Sequence, residues 1–449
     1  MVYLQIALIV CLIFSISGFF LEKKLWINPL TIFCGLWAVI LYFSSLRKYT
    51  MYMASDEKNY IIMIGIISYI LGYLINRLFL KNIHFKFGRH SFYSMSKKYQ
   101  TIPRYTILYI LCVVSIVYTL FTLINVIRQS GTFNLGTIQN MLQSGDIVSA
   151  NGSILNAISL LIISPVKFAL PAITAVDFWF GRRDKKLLYM TICLVIINML
   201  SSANRTSFML FFLWLLMVLT IYLYHYEKKK RKIYDKILSN KVIAKINKYK
   251  RLLIVVGILA FVLMTISRGT SSITKQLYLY FSMPPSMFEI WADKIEEGNV
   301  YGYGIASLLG FIYPFFYICK NLLGLGIPQI IQSIYDWTML TDTLWVWPGM
   351  NIRANAYVSI FWFLYLDGRQ IGVVIGMFIL GLITSRSFSN ITGKSVSAKQ
   401  IAIYCCLFYV ILFSFVRMQF TLSRIALAFI FIIFFAYKNV PKEIGVKKL

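Results

Sequence analysis

The densest run of side chains able to do chemistry lies late in the chain. It reads Arg353-Ala-Asn355-Ala-Tyr357, then Phe361-Trp362-Phe363-Leu364-Tyr365-Leu366-Asp367-Gly368, with Gly372 following. If 355–367 is helical, Asn355, Ser359, Phe363 and Asp367 fall at i, i+4 spacing on one face, and the glycine after Asp367 ends the helix. That face would set polar groups beside an aromatic wall. The same pattern also describes a capped helix in a membrane interface, where Trp and Tyr accumulate. Arginines mark other sites: Arg205 in SSANRTS, Arg268 in TISRGTSS and Arg417 in SFVRMQF all stand at ends of apolar runs. A guanidinium is a planar fork of donors that grips phosphate at two points, whereas lysine is a point charge. Lone arginines in such places snorkel to lipid phosphates. Arg205, Arg268 and Arg353 have Ser, Thr, Asn or Gly close by in sequence, which suits a polar cavity, so these three are expected to share an anionic ligand.

What is missing narrows the chemistry. The three histidines, His84, His90 and His225, all fall in lysine-rich loops on the opposite side from these arginines. A Ser–His–Asp triad or a zinc site beside the arginines is therefore not expected. A base there must be a carboxylate: Asp146, Glu289, Asp293, Glu296, Glu297, Asp336, Asp342 or Asp367. Asp367 is the first choice, with Asp336 or Glu289 next. No DxD pair and no phosphate-binding glycine loop is present, so neither a metal–nucleotide complex nor another cofactor is expected. The seven cysteines sit singly or adjacent in apolar runs without a CxxC, and read as small buried hydrophobes. Trp291, Trp337, Trp345, Trp347 and Trp362 cluster in the same late region, where indole faces either stack on sugars or float at an interface. Trp345 and Trp347, close to Arg353 in sequence, are the candidates for substrate contact.

The elements that must position these residues are membrane helices. Mean hydropathy is +0.72, with 59% hydrophobic and 14% charged residues, which excludes an ordinary soluble domain. A hydrocarbon core of roughly 30 Å needs about 20 apolar residues per helix. Such runs are expected at 3–20, 30–46, 60–80, 105–127, 154–180, 187–201, 206–224, 252–267, 371–385, 401–416 and 418–437. Residues 301–319 either cross as well or form a re-entrant or surface-lying helix, and part of 322–347 is a further candidate for a crossing. The first run lacks a basic start and a cleavage site, so it reads as a helix and not a signal peptide. The fold class is therefore all-α and polytopic, with about 11–13 crossings.

The net charge of +29 is concentrated in three loops and the tail. Segment 77–104 carries Arg77, Lys81, Lys86, Arg89, Lys97, Lys98 and Arg104, and segment 182–186 carries Arg182, Arg183, Lys185 and Lys186. Segment 227–251 holds eleven Lys or Arg. The positive-inside rule makes these cytoplasmic, and contacts with anionic lipid follow, while nucleic acid is not needed to explain the charge. Parity then puts 128–153, Arg205 and the whole of 268–370 outside, together with the N-terminus. Three parts result: an N-terminal helix bundle over 1–267, a large extracytoplasmic region over 268–370, and C-terminal helices with a cytoplasmic tail over 371–449.

SSANRTS opening a span, ISRG closing one, and R-x-N-x-Y…F-x-F-x-Y-x-D-G-x-x-x-G before a late span resemble the bacterial O-antigen polymerase (Wzy-type) family. The layout, about a dozen spans with one large outer loop in the second half, is similar too. The resemblance implies a plasma-membrane glycosyltransferase that moves a growing glycan from its polyprenyl pyrophosphate carrier to an incoming lipid-linked repeat unit. It implies Arg205, Arg268 and Arg353 on the two pyrophosphates, with Asn355, Tyr365 and Asp367 lining the site. Lipid-linked oligosaccharides, membrane lipids, a flippase and a chain-length regulator are the partners it implies. Two other classes share these features: a lipid-linked oligosaccharide flippase, which the long 268–370 region disfavours, and a ligase-like glycan transferase, which differs only in its acceptor.

Overall fold

The computed structural model describes residues 2–22, 25–80, 99–132, 137–138, 141–142, 153–202, 206–230, 273–393 and 396–441. In chain order the helices begin with α1 (Val2–Leu21), α2 (Pro29–Ser45) and α3 (Asp56–Ile75), the last running on through a π turn. Strand β1 (Tyr99–Pro103) precedes α4 (Tyr105–Ser130), α5 (Ser153–Ile158), α6 (Ser164–Phe180), α7 (Lys185–Ser201) and α8 (Thr206–Lys230). Next come α9 (Ile273–Glu297), α10 (Ile305–Leu323), α11 (Gln329–Thr343), β2 (Val346–Gly349) and β3 (Ile352–Ala354). The chain closes with α12 (Ser359–Thr392), α13 (Ala398–Leu412), α14 (Ser423–Phe434) and β4 (Tyr437–Pro441). The architecture is helical apart from two two-stranded antiparallel ladders among the described residues, β1 with β4 and β2 with β3.

Seven helices among the described residues are long and apolar enough to cross a membrane, so the chain is a multi-pass membrane protein. They include α10, the stretch expected either to cross or to lie re-entrant. The expected spans 30–46, 401–416 and 418–437 correspond to shorter apolar helices, α2, α13 and α14. The last two are shortened because 413–422 folds into turns that carry Arg417. The expected span at 252–267 lies outside the described residues. Residues 371–385 belong to the longer helix α12, which breaks at Gly368 and Arg369, where Arg369 takes φ 53°.

The chain packs as two units, which cut it differently from the three-part division drawn from loop exposure. The first comprises 1–85, 271–390 and 406–426; the second comprises 86–270, 391–405 and 427–449. In the first, α3 and α12 meet backbone to backbone. A Cβ on Gly72 would lie 2.1 Å from the Phe378 carbonyl oxygen, and one on Gly381 would lie 2.2 Å from that of Tyr69. Between them Tyr69 Oη lies 3.2 Å from Thr384 Oγ1, and Asn76 Nδ2 donates to Ser385 Oγ at 2.9 Å. Small residues and hydrogen bonds hold helices together where lipid removes the hydrophobic drive. Local sequence sets the ends: Asn28 Oδ1 accepts the Leu30 N–H at 2.9 Å ahead of Pro29, and Ser55, Asp56 and Glu57 open α3.

In the second unit the buried Asp177 organises the turn between α6 and α7. Its carboxylate accepts the Tyr105 hydroxyl at 2.6 Å and the N–H groups of Arg182 and Asp184 at 3.2 and 3.0 Å. Asp184 in turn caps α7 through the Leu187 N–H at 2.8 Å and accepts the Tyr109 hydroxyl at 2.6 Å. The turn thereby presents Arg182, Arg183, Lys185 and Lys186 exposed.

The glycine seam gives a first test. Gly72→Leu or Gly381→Leu should destabilise the protein by about 1–3 kcal/mol, because a side chain there meets backbone that cannot yield. A thermal melt in detergent measures it; an unchanged midpoint would remove the seam from the account.

Candidate functional site

The polar groups of the first unit gather where the N-terminal end of α3, the C-terminal end of α9, the start of α10 and the break in α12 meet. Asp367 sits at that break. Its Oδ1 accepts the Ala306 N–H at 2.8 Å and its Oδ2 accepts the Ser307 N–H at 2.9 Å. The first turn of a helix has N–H groups with no partner of their own, and a carboxylate supplies both acceptor and charge. Two backbone bonds fasten the preceding loop: Gly302 N–H to Leu366 O at 2.8 Å and Tyr303 N–H to Asp367 O at 3.0 Å. A Cβ on Gly302 would lie 2.5 Å from Asp367 Oδ1, so only glycine lets the loop come this close.

Beside this bolt lies a charged network. Lys58, at 3% exposure, pairs with Asp293 at 3.2 Å and with Glu296. Tyr365 donates its hydroxyl to Glu296 Oε1 at 2.7 Å. Arg369 donates from Nη2 to the Ile295 carbonyl at 3.0 Å, and its guanidinium carbon lies 4.3 Å from the centre of the Tyr301 ring and 5.4 Å from that of Tyr365. Its Nη1 is buried with no hydrogen-bond partner. Burial alone would raise the Glu296 carboxyl; the hydrogen bonds from Lys58 and Tyr365 and the charges of Lys58 and Arg369 outweigh it and hold the group below the ordinary carboxylate value.

A second node forms around Arg417, which is 8% exposed. Its Nη1 contacts Asp342 Oδ2 at 2.7 Å, its Nη2 donates to Thr341 Oγ1 at 3.3 Å, and its guanidinium carbon lies 5.5 Å from the centre of the Phe363 ring. Its Nε is buried with no partner, and so is Ser359 Oγ. A backbone bridge sets Ser359 alongside Arg417, with Ser359 N–H donating to Val416 O at 3.2 Å. Just ahead, Asn355 donates to the Asp342 carbonyl. Ala356, Tyr357 and Ser359 take φ of 57°, 56° and 67°. Left-handed backbone costs a side-chain-bearing residue about 1–3 kcal/mol and gathers where packing over-determines the chain, functional sites included.

The structure places the expected residues unevenly. Arg205 and Arg268 lie outside the described residues. Arg353 is exposed on β3, its guanidinium carbon 5.6 Å from the centre of the Trp345 ring, and Trp345 and Trp347 are exposed on the same hairpin and its approach. That hairpin is tied to residues 50–52 through Tyr52 N–H to Pro348 O at 2.9 Å and Met350 N–H to Thr50 O at 3.1 Å. Asn355 belongs to the Arg417 node, and Tyr365 and Asp367 to the other. The polar helical stripe from Asn355 to Asp367 is corrected: α12 starts at Ser359, because Asn355 bonds to the end of α11 and Ala356 and Tyr357 turn left-handed. In the sequence Glu296 is one of eight candidate carboxylates, and nothing there brings it together with Lys58 and Arg369. Their partnership spans more than 300 residues, and the only local signal was a lysine in the first turn of an apolar helix.

Two measurements follow. Asp367→Ala should cost about 0.5–2 kcal/mol as a lost helix cap, read as a lower melting midpoint. An unchanged midpoint with lost function would hand the carboxylate a chemical role instead. Glu296 is held ionised, so its contribution to stability is complete above an ordinary carboxylate pKa of about 4.3 and is lost as pH falls through its lower folded value. The acid limb of a melting-versus-pH curve should therefore shrink in Glu296→Gln.

Compared with protein-family models, with curated proteins and with solved structures, the chain matches none.

Proposed function

We propose that the protein is a glycosyltransferase that polymerises polyprenyl-pyrophosphate-linked oligosaccharide repeat units into surface polysaccharide on the outer face of a bacterial plasma membrane. The finer topology belongs to this reading: about 11–13 crossings, with 268–370 outside. The basic segment 77–104 follows the C-terminal end of α3, and the polar groups described above gather at its N-terminal end. With the basic segment inside, those groups face outward.

The observation that carries the reading is Arg417. A guanidinium withdrawn from water, with one carboxylate partner and one unsatisfied N–H, is costly in a lipid-embedded chain unless an anion completes it. A diphosphate suits it, because phosphate oxygens accept from a guanidinium fork. Arg353 on its hairpin adds a second cation, and Arg205 and Arg268 remain in the proposal from the sequence. In the reaction an acceptor hydroxyl oxygen attacks the anomeric carbon. A new carbon–oxygen bond forms, the bond to the diphosphate breaks with its electron pair on the departing oxygen, and the hydroxyl proton passes to a carboxylate. Arginines aimed at the departing diphosphate stabilise the charge that develops there. Asp367 serves in this scheme as the cap that positions α10 and α12.

Gene deletion tests it. The deletion strain should carry single repeat units and no ladder, restored by wild type. Arg417→Ala, Arg353→Ala and Arg268→Ala should each fail to restore it, with polymer yield down on the order of 10²-fold for a lost charge-stabilising donor at normal protein level. Arg417→Lys keeps the charge without the fork and should be intermediate. Loss of all surface sugar would favour the flippase class, and single-unit transfer to a foreign acceptor the ligase class.

A further inference from the structure

We infer that Glu296, Arg369, Tyr301 and Tyr303 form a saccharide-binding subsite in which the second oxygen of Glu296 receives a sugar hydroxyl. The inference rests on the glycosyltransferase reading for its catalytic consequence, but the subsite itself stands on geometry.

Both hydrogen bonds that reach Glu296 arrive at Oε1. Among the described residues none arrives at Oε2, and the side chain is 38% exposed. The carboxylate is thus fixed through one oxygen and held ionised on a partly exposed side chain, with no described donor at its Oε2. Arg369 supports the subsite from behind, its guanidinium carbon 4.3 Å from the centre of the Tyr301 ring, while its own Nη1 is enclosed. Tyr301 and Tyr303, 38% and 72% exposed, stand on the fastened loop with ring centres 6.0 Å apart. Tyr303 holds a left-handed φ of 51°, so the loop spends backbone energy to present it. A fixed acceptor and exposed ring faces are what a polyhydroxylated ring with apolar C–H faces needs.

The charge balance separates this subsite from the Arg417 node. Lys58 and Arg369 offset Asp293 and Glu296, so the cluster is neutral, and a diphosphate entering it would meet two carboxylates. A neutral sugar meets no such penalty. In the proposed reaction this is the acceptor side, and Glu296 Oε2 is the atom that takes the proton of the attacking hydroxyl. Asp367 is not suited to that step, because both of its oxygens already hold backbone N–H groups.

The test uses the full-length protein in lipid nanodiscs and, as probe, the repeat-unit oligosaccharide released by mild acid from the host's lipid-linked pool. Binding is followed by intrinsic fluorescence. Wild type should bind, Tyr303→Ala should weaken binding at least about fivefold at an unchanged melting midpoint, and Glu296→Gln should weaken it about tenfold. Glu297→Gln, one residue along and outside the cluster, should bind as wild type does. No binding by wild type, or equal binding by all variants, would overturn the subsite. So would a Tyr303→Ala variant that changes only its insertion into liposomes, which is how an interface-belt tyrosine behaves. If the deletion strain shows the flippase phenotype while sugar binding persists and depends on Glu296, the enzyme reading falls and the subsite stands. If polymerisation is confirmed, Glu296→Gln should lower kcat more than KM and remove the acid limb of the rate profile; an unchanged profile would remove the proton-accepting role.

Discussion

The arrangement of the polar groups near the α12 break depends on one carboxylate. Asp367 closes two N–H groups at the start of α10 while its own backbone carbonyl, with that of Leu366, holds the loop before it. A helix start buried without acceptors would be unstable, and no water is at hand inside a packed membrane fold to supply them. With the cap in place, residues 298–304 have little freedom, and Tyr301 is set against Arg369. Arg369 can then bond the end of α9, and Glu296 falls within reach of Tyr365.

Two arrangements of charge lie in the same unit, with different chemical capacities. Around Lys58 positive and negative groups offset each other, and what remains is a carboxylate oxygen with no described donor. Around Arg417 a single carboxylate faces a guanidinium whose Nε is enclosed without a partner, beside backbone held in left-handed conformation. A transfer between two lipid-linked saccharides calls for both kinds of place, a cationic one for the departing diphosphate and a neutral hydrogen-bonding one for the sugar that attacks. The proposed enzyme function draws its support from this division of labour, because a path for translocation needs no fixed carboxylate with an open acceptor oxygen.

Lipid imposes the remaining constraint. Helices that cannot be driven together by the hydrophobic effect meet instead through small residues, and the α3–α12 seam shows the consequence. Gly72 and Gly381 bring two backbones together, so the polar ends of both helices, Lys58 on one and Tyr365 and Arg369 on the other, are carried into range of α9. The seam thus sets the spacing of the network above it.

The sequence by itself determined the apolar helices, their near-bilayer lengths, the basic loops and the concentration of aromatic and acidic residues late in the chain. Those properties are local: hydropathy and charge act over one segment at a time. It also singled out Asp367, Tyr365, Asn355 and Arg353 as a group, because they lie close together along the chain. Only the tertiary structure decided which groups meet. It set Asp367 at the start of α10 as a helix cap, parted Asn355 from the α12 stripe, and joined Lys58 to Glu296 and Arg417 to Asp342 across long stretches of chain. Pairing between distant charges depends on which helix faces meet, and side-chain packing between helices leaves no periodic trace in the residues that lie between them.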